Sequence, residues 1–452
     1  MVKWKPNTWR NKQIAQQPDW DDKIGLEMVF DRISSYPPLV FSGEINNLKN
    51  KLKKAEQGKL FMLQGGDCAE TFSDFNDNLI YNKLNLLASM SIILGYNCSK
   101  RTINIGRIAG QFAKPRTNLL ETKNNISLPN YRGDSVNDIR FNDEGRRPDV
   151  NRIIKAYNQS AATLNLIRAY IDGGGTNIFQ SFLEQNEHNK IIDKRYISII
   201  NKLEKTKDTM LRFSAENKLN RFFTNEFFTS HEGLLLEYEE ALTRKNNIDN
   251  KWYNCSSHTI WIGNRTRDMN GAHVEFAAGI QNPIGIKLGP DLQTEELIHL
   301  INRINPNNES GKLILIARFG IEHIEKKLDK MIHAVKKNNK KVLWICDPMH
   351  GNTIIKNNYK TRIYSDVINE LQCFFKIHKS NGTIPGGIHI EYSSEHVTEC
   401  IGGPDNINEQ DLPNNYKTAC DPRLNINQCI DLIFKVSELI KKTNQKMSDI
   451  RI

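Results

Sequence analysis

Short apolar runs recur along the chain and alternate with longer stretches of helical spacing. Leu60-Phe61-Met62-Leu63 ends at Gln64-Gly65-Gly66-Asp67-Cys68, and Thr102-Ile103-Asn104-Ile105-Gly106 ends at Arg107. Thr259-Ile260-Trp261-Ile262-Gly263 runs into Asn264-Arg265, Ile284-Gly285-Ile286 into Lys287, and Leu313-Ile314-Leu315-Ile316-Ala317 into Arg318. Val342-Leu343-Trp344-Ile345-Cys346 leads to Asp347-Pro348-Met349-His350, and Gly387-Ile388-His389-Ile390 to Glu391. Short runs of this composition, most of them bounded by Gly or Pro, have the pattern of parallel strands buried on both faces. Each also delivers a charged or metal-capable side chain at the same end. That arrangement predicts a (β/α)8 TIM barrel with its site at the C-terminal face of the strands. An eighth strand must lie between Arg107 and Thr259, and Thr176–Phe182, after Gly173-Gly174-Gly175, is the candidate. A doubly wound open sheet is the structural alternative, but it would gather residues only from strands flanking its switch point.

Helical spacing fills the gaps at Asn78–Leu94, at Asp149–Ala169 after Pro148, at Thr294–Asn302 with acidic residues in its first turn, and at Asn427–Lys442. Before the first strand, Asp21–Ser34 reads as a helix and Tyr36–Val40 as a loop packed on the barrel. The expected organisation is an N-terminal extension over 1–55 and a catalytic barrel over 56–452, with a charged helical insertion at about 183–225.

Composition narrows the class. The 452 residues are 38% hydrophobic and 25% charged, enough to build a sizeable core. No apolar run approaches the ~20 residues of a membrane span. The first residues lack the apolar stretch of a secretory signal. A cytoplasmic protein is expected, with a plastid-like compartment left open. The formal charge of +10 goes with heavy use of Lys, Asn and Ile and with solvated runs such as Lys336–Lys341. Nucleic-acid binding would rest on that charge alone and is not expected. Eight cysteines without CxxC pairs argue against a secreted disulfide framework.

Two constellations carry chemistry. Cys68, His350, Glu391 and Asp421 combine a thiolate, an imidazole and two carboxylates at strand ends or in Gly- and Pro-bracketed loops. Such a mixed donor set suits a divalent transition metal better than magnesium or calcium. Arg107, Lys114, Arg116, Arg265, Lys287, Arg318 and Lys360 form a second group at the same mouth. Exposed cations are ordinarily solvated, but like charges gathered in one cleft need an anion to neutralise them. Arg forks and Lys point charges suit carboxylate and phosphate oxygens. The mouth therefore reads as a site for polyanionic substrates beside a metal.

Leu63–Phe72, Arg107–Arg116, Tyr131–Asp134, Thr229–Glu232, Trp261–Arg267, Gly271–Phe276, Asn282–Pro290, Asp347–Thr353, Lys360–Arg362, Gly386–Glu391, Val397–Gly403 and Cys420–Asn425 together resemble the type II, or plant-type, 3-deoxy-D-arabino-heptulosonate 7-phosphate (DAHP) synthases. They occur in family order over nearly the whole chain. The resemblance implies a TIM barrel that condenses phosphoenolpyruvate with erythrose 4-phosphate and water, giving DAHP and phosphate. This is the first step of the shikimate pathway to aromatic amino acids. It assigns Cys68, His350, Glu391 and Asp421 to the metal, with manganese expected first and cobalt, iron or zinc as alternatives. It assigns Arg107, Asn264, Arg265, Lys287 and Arg318 to phosphoenolpyruvate. Lys360, Lys114, Arg116, Thr117 and Glu232 go to erythrose 4-phosphate. It also points to a homo-oligomer and an aromatic amino acid effector, whereas no residue supports a chorismate mutase partner. At position 264 the family has Glu, so Asn264 puts full activity in question. The rival readings are a catalytically weak regulatory or scaffold homologue, and condensation of phosphoenolpyruvate with another aldose phosphate. Because Cys420 adjoins Asp421, its backbone must approach the metal that Cys68 binds; either the two thiols can oxidise to a disulfide when the metal is absent, or Cys420 is simply packed.

Overall fold

The computed structural model describes residues 4–189, 193–213 and 226–449. Eight parallel strands close into a barrel: β1 (Leu60–Gly66), β2 (Arg101–Arg107), β3 (Phe227–Glu232), β4 (Thr259–Ile262), β5 (Ile284–Leu288), β6 (Leu313–Ala317), β7 (Leu343–Cys346) and β8 (Pro385–Glu391). Each strand pairs with its neighbour in sequence, and β8 returns to β1. The chain is thus a (β/α)8 barrel. Helices over Asp77–Cys98, Asn151–Asn189, Lys194–Phe213, Ala272–Gly279, Thr294–Ile304, Ile324–Lys337, Tyr364–Ser380 and Ile426–Asp449 lie in the connections and after the last strand.

β3 corrects the expected eighth strand. Thr176–Phe182 lies inside the helix Asn151–Asn189, which carries the helical spacing seen from Asp149 onward through the glycine triplet. β3 escapes a search for apolar runs because four of its six residues, Thr229, Ser230, His231 and Glu232, are polar. Thr229, Ser230 and His231 are buried through hydrogen bonds instead. Ser230 Oγ donates to Gly106 O (3.0 Å), the Thr229 backbone N–H donates to His258 Nδ1 (2.9 Å), and His231 Nε2 meets Glu239 Oε1 (2.7 Å). Of the helical insertion expected at 183–225, residues 190–192 and 214–225 lie outside the described residues.

The barrel floor is filled from outside the barrel. The helix Ser42–Glu56 turns Leu48, Leu52 and Ala55 onto Met62, Ile103, Ile105, Phe228, Ile314, Ile316, Leu343 and Ile345, which are buried with it in one cluster. Its apolar positions recur at helical spacing, so one stripe covers the open end of the barrel. Above this layer stand Trp261 and His389, their rings edge to face with centroids 5.3 Å apart. Charged groups begin above that pair. Most of the remaining core lies between the outer strand faces and the surrounding helices.

Register then decides what meets at the top. Gly66 pairs with Arg107 of β2 on one side and with Glu391 of β8 on the other. A Cβ at Gly66 would stand 2.6 Å from Arg107 O, so only glycine lets the three strand ends approach this closely. Gly133 plays the same part for the loop after β2. Its φ is +99° and an added Cβ would fall 2.1 Å from Phe112 O. We therefore expect Gly133→Ala to cost on the order of 2–4 kcal/mol from left-handed strain and the backbone clash. A drop of that size in urea unfolding free energy checks it, and an unchanged midpoint contradicts it.

Candidate functional site

Glu391, at the end of β8, is fully buried, and its carboxylate lies among cations. Arg107 Nη2 is 3.0 Å from one oxygen and Arg362 Nη2 is 2.8 Å from the other. His350 Nε2 is 2.9 Å from the Arg107-facing oxygen. Burial alone would raise its pKa, but His350, Arg362 and Arg107 outweigh it and hold the group ionised, well below the usual range. Asp421, in the turn ahead of Pro422, is balanced in the same way. Burial opposes its charge, and Lys114 (2.9 Å) and Lys360 (3.0 Å) favour it.

Cys68 follows β1 by two residues and donates its thiol to Asp421 Oδ2 at 3.3 Å. Cys68 Sγ and one oxygen each of Glu391 and Asp421 lie within 4.8 Å of one another. Glu391 Oε1 accepts no well-aligned hydrogen bond although it is buried. The ammonium of Lys114 sits among these donors, bonded to Cys68 Sγ and to Asp421, and 4.0 Å from Glu391. One thiol, two carboxylates and an adjacent imidazole, converging where a cation is already accommodated, fit a divalent transition metal. Burial, Cys420, Asp421 and Glu391 raise the Cys68 thiol, and a bound cation would reverse that balance.

His350 is oriented from behind. Its Nδ1 meets Asp347 Oδ2 at 2.8 Å, and the Asp347 carboxylate also pairs with Lys287 Nζ. A carboxylate behind a ligating imidazole fixes its tautomer and ring plane. Lys287 is pushed down to about 8 by burial, against the pull of Asp347, with Arg107 and Arg318 adding repulsion. His389 completes a buried polar path. Its Nδ1 faces Gln64 Oε1 (2.7 Å), and Gln64 Nε2 donates to Ser230 Oγ (2.8 Å). His389 Nε2 then accepts from both Arg107 (2.9 Å) and Lys287 (3.0 Å). The ring is kept neutral by burial and by Lys287, so two cations are aimed from one acceptor.

Above these groups opens a cavity of about 420 Å³. Arg107, Lys114, Arg116, Arg265, Lys287, Arg318 and Lys360 line it, with Glu232 and Asp421 as the only carboxylates among the described lining residues. Thr117, Asn264 and His350 also reach the wall. Cys68 and Glu391 lie beneath it, not on its lining. Glu232 is raised by burial, and one of its oxygens rests over Gly263, where a Cβ would come within 2.1 Å of it. Asn264 turns its amide toward Asp291 (3.2 Å) and accepts from Arg267 Nε (3.2 Å). Cys420 is buried, and both it and Cys68 are free thiols in one small cluster with Ala69 and Tyr131.

Sequence reading missed Asp347, His389, Arg362 and Glu370. The signal for two of them was available. Asp347 stands three residues before His350, and His389 shares the inward face of β8 with Glu391 by strand alternation. Glu370 had none, and Arg362 was marked only as the end of the stretch Lys360–Arg362. Arg362 comes from the hairpin Thr353–Lys356/Tyr359–Arg362. Glu370 reaches in from the helix Tyr364–Ser380 to accept from Phe319 N, Gly320 N and Asn352 Nδ2 (3.1, 2.9 and 2.7 Å), joining the Arg318 and His350 loops.

Comparison with known proteins agrees with this geometry. The chain is 44% identical over 438 residues to a phospho-2-dehydro-3-deoxyheptonate aldolase of Streptomyces coelicolor, covering 96% of this chain and 97% of the relative. It is 40% identical over 457 residues to the enzyme of that name from Neurospora crassa, covering 96% and 94% of the two chains. To phospho-2-dehydro-3-deoxyheptonate aldolase AroG of Mycolicibacterium smegmatis it is 38% identical over 438 residues, covering 95% and 93%. The model of the Class-II DAHP synthetase family matches residues 4–437, and the chain therefore belongs to that family.

Proposed function

We propose that the chain condenses phosphoenolpyruvate with erythrose 4-phosphate on a divalent metal held by Cys68, His350, Glu391 and Asp421. Family membership gives the reaction, a 3-deoxy-7-phosphoheptulonate synthase. The observation that supports its placement is the charge of the cavity: seven Lys and Arg side chains against two carboxylates, directly above the donor cluster. Such an excess is stable when polyanions complete it. Manganese is the proposed metal, and cobalt, iron or zinc suit the same donors.

Arg107, Lys287, Arg318 and Arg265 form the phosphoenolpyruvate side. Arg107 and Lys287 are fixed through His389 and Arg318 through its loop, so these charges meet the substrate preorganised. Arg116, Thr117, Lys114 and Lys360 form the sugar-phosphate side. Holding two anions with C3 of phosphoenolpyruvate against the aldehyde carbon is the larger part of the work. When bound, the metal supplies Lewis-acid polarisation of the aldehyde oxygen. The C3–C1 bond forms, and the former aldehyde oxygen takes a proton. Water then adds at C2, and phosphate leaves with C–O cleavage. Neutral His389 and ionised Asp347 keep the cations in place throughout.

Chelation is expected to abolish turnover, with manganese restoring it. Asp347→Asn should weaken manganese binding about 10–100-fold, because His350 loses the carboxylate that orients it. Titration calorimetry on the chelated protein reads this directly, and an unchanged affinity would reject the role. Asn264→Glu is expected to change kcat less than about fivefold, since the side chain is engaged by Arg267 and Asp291 and one such polar contact is worth about 1 kcal/mol. A large gain in steady-state turnover would show instead that the natural protein is a compromised enzyme.

A further inference from the structure

The loop that carries Lys114, Arg116 and Thr117 to the cavity is layered on residues 130–137. Lys114 N donates to Arg132 O at 2.8 Å. Arg116 Nε donates to Asn130 Oδ1 (2.9 Å), and Asn130 Nδ2 to Asn118 O (3.1 Å). On the far side of this layer lies Gln16, from the segment that precedes the barrel. Its side-chain Oε1 accepts from the backbone N–H of Arg116 at 2.8 Å, and its backbone carbonyl accepts from Arg132 Nη1 at 3.0 Å. Gln16 holds a left-handed backbone, φ +61°. For a non-glycine residue this conformation costs on the order of 1 kcal/mol and persists where neighbouring contacts enforce it.

Those contacts are present on both sides. Gln13 O accepts from Ala272 N at 2.9 Å, and Gln17 Nε2 donates to Leu234 O at 2.8 Å. The segment is therefore pinned to the loop after β3 and to the helix Ala272–Gly279, and the strained turn between the pins pushes Gln16 onto Arg116. Arg107, Lys287 and Arg318 stand on barrel strands or immediately after them and have no contact with Gln16, and Arg265 meets the stretch only through its bond to Thr117 Oγ1. Lys114 is held by Arg132 and by its own ion pair with Asp421. Gln16 holds the backbone of Arg116 directly, while the Arg116 guanidinium is also held by Asn130 and Thr117 Oγ1 accepts from Arg265 Nη2.

We propose that Gln16 is a positioning residue for the sugar-phosphate substrate: it fixes the Arg116–Thr117 stretch and so sets affinity for erythrose 4-phosphate without setting affinity for phosphoenolpyruvate. This rests on the assignment of that stretch to the sugar phosphate. Gln16→Gly and Gln16→Asn both tolerate the left-handed backbone, and neither side chain can make the bond to Arg116, so they remove the clasp without removing the turn. Gln16→Glu keeps an acceptor oxygen.

Steady-state kinetics on the metal-loaded enzyme test it. The Gly and Asn variants should raise KM for erythrose 4-phosphate about fivefold, the equivalent of one lost hydrogen bond. KM for phosphoenolpyruvate and kcat should stay within about twofold, and Gln16→Glu should return the wild-type KM. An unchanged KM for erythrose 4-phosphate, a parallel rise for both substrates, or a Glu variant as poor as Gly overturns the inference. Arg116→Ala separates the two levels. If it leaves KM for erythrose 4-phosphate unchanged, the subsite assignment itself fails. If it raises that KM while Gln16→Gly does not, only the role of Gln16 fails.

Discussion

The buried carboxylate of Glu391 is the constraint on which the site is built. An ionised carboxylate out of water costs several kcal/mol unless charge and hydrogen bonds compensate it. Arg107, Arg362 and His350 supply that compensation, but two of the three are themselves buried cations with needs of their own. Arg107 turns to His389 and the Cys68 carbonyl, Arg362 to Pro422 O and Thr353, and His350 to Asp347. Asp347 in turn holds Lys287. One buried charge thus commits groups from β1, β2, β5, β7 and β8 to a single arrangement. Where the alternation of sign stops, at the cavity wall, cations are left in excess, and that excess supports the proposed binding of polyanions there.

The scaffold makes this arrangement affordable. Eight parallel strands end together, so side chains at successive strand ends converge without long loops. Glycines at the closest approaches, Gly66 and Gly263 among them, leave room for Arg107 and for the Glu232 carboxylate. Below, the helix Ser42–Glu56 closes the barrel with aliphatic side chains and keeps water from the charged layer. A second buried network ties together the two loops that bear Cys68 and Asp421. Arg423 bridges Asp67 (2.7 Å) and Glu399 (2.8 Å), and Asp67 also pairs with Lys83. It joins the loop bearing Cys68 to the turn bearing Asp421, residues 353 positions apart in sequence.

Much of this was legible from residue order. Seven apolar runs, each ending in a polar side chain, marked seven of the eight strands, and the donor and cation sets followed from their ends. β3 was not legible, because beyond Phe227 and Phe228 its residues are polar, and Thr229, Ser230 and His231 are buried by hydrogen bonds rather than by apolar contact. Gln16, Arg362 and Glu370 were hidden for another reason. Each acts through a partner distant in sequence, Arg116, Glu391 and Phe319 respectively, and no spacing rule connects them. His389 and Asp347 lie between these cases, adjacent in pattern to residues already singled out but without a charge partner visible in the sequence. The Lys- and Asn-rich composition concealed nothing essential, since runs such as Lys336–Lys341 sit at a helix end away from the cavity.

One metal-dependent site is proposed to join these two anions. It is tested most directly by product analysis of the purified chain with phosphoenolpyruvate and erythrose 4-phosphate, beside a Cys68→Ser variant, each with and without manganese. Equimolar DAHP and inorganic phosphate are expected from the metal-loaded wild type, little product with arabinose 5-phosphate in place of erythrose 4-phosphate, and loss of product on chelation or in the variant. Undiminished DAHP formation by the chelated protein would contradict it.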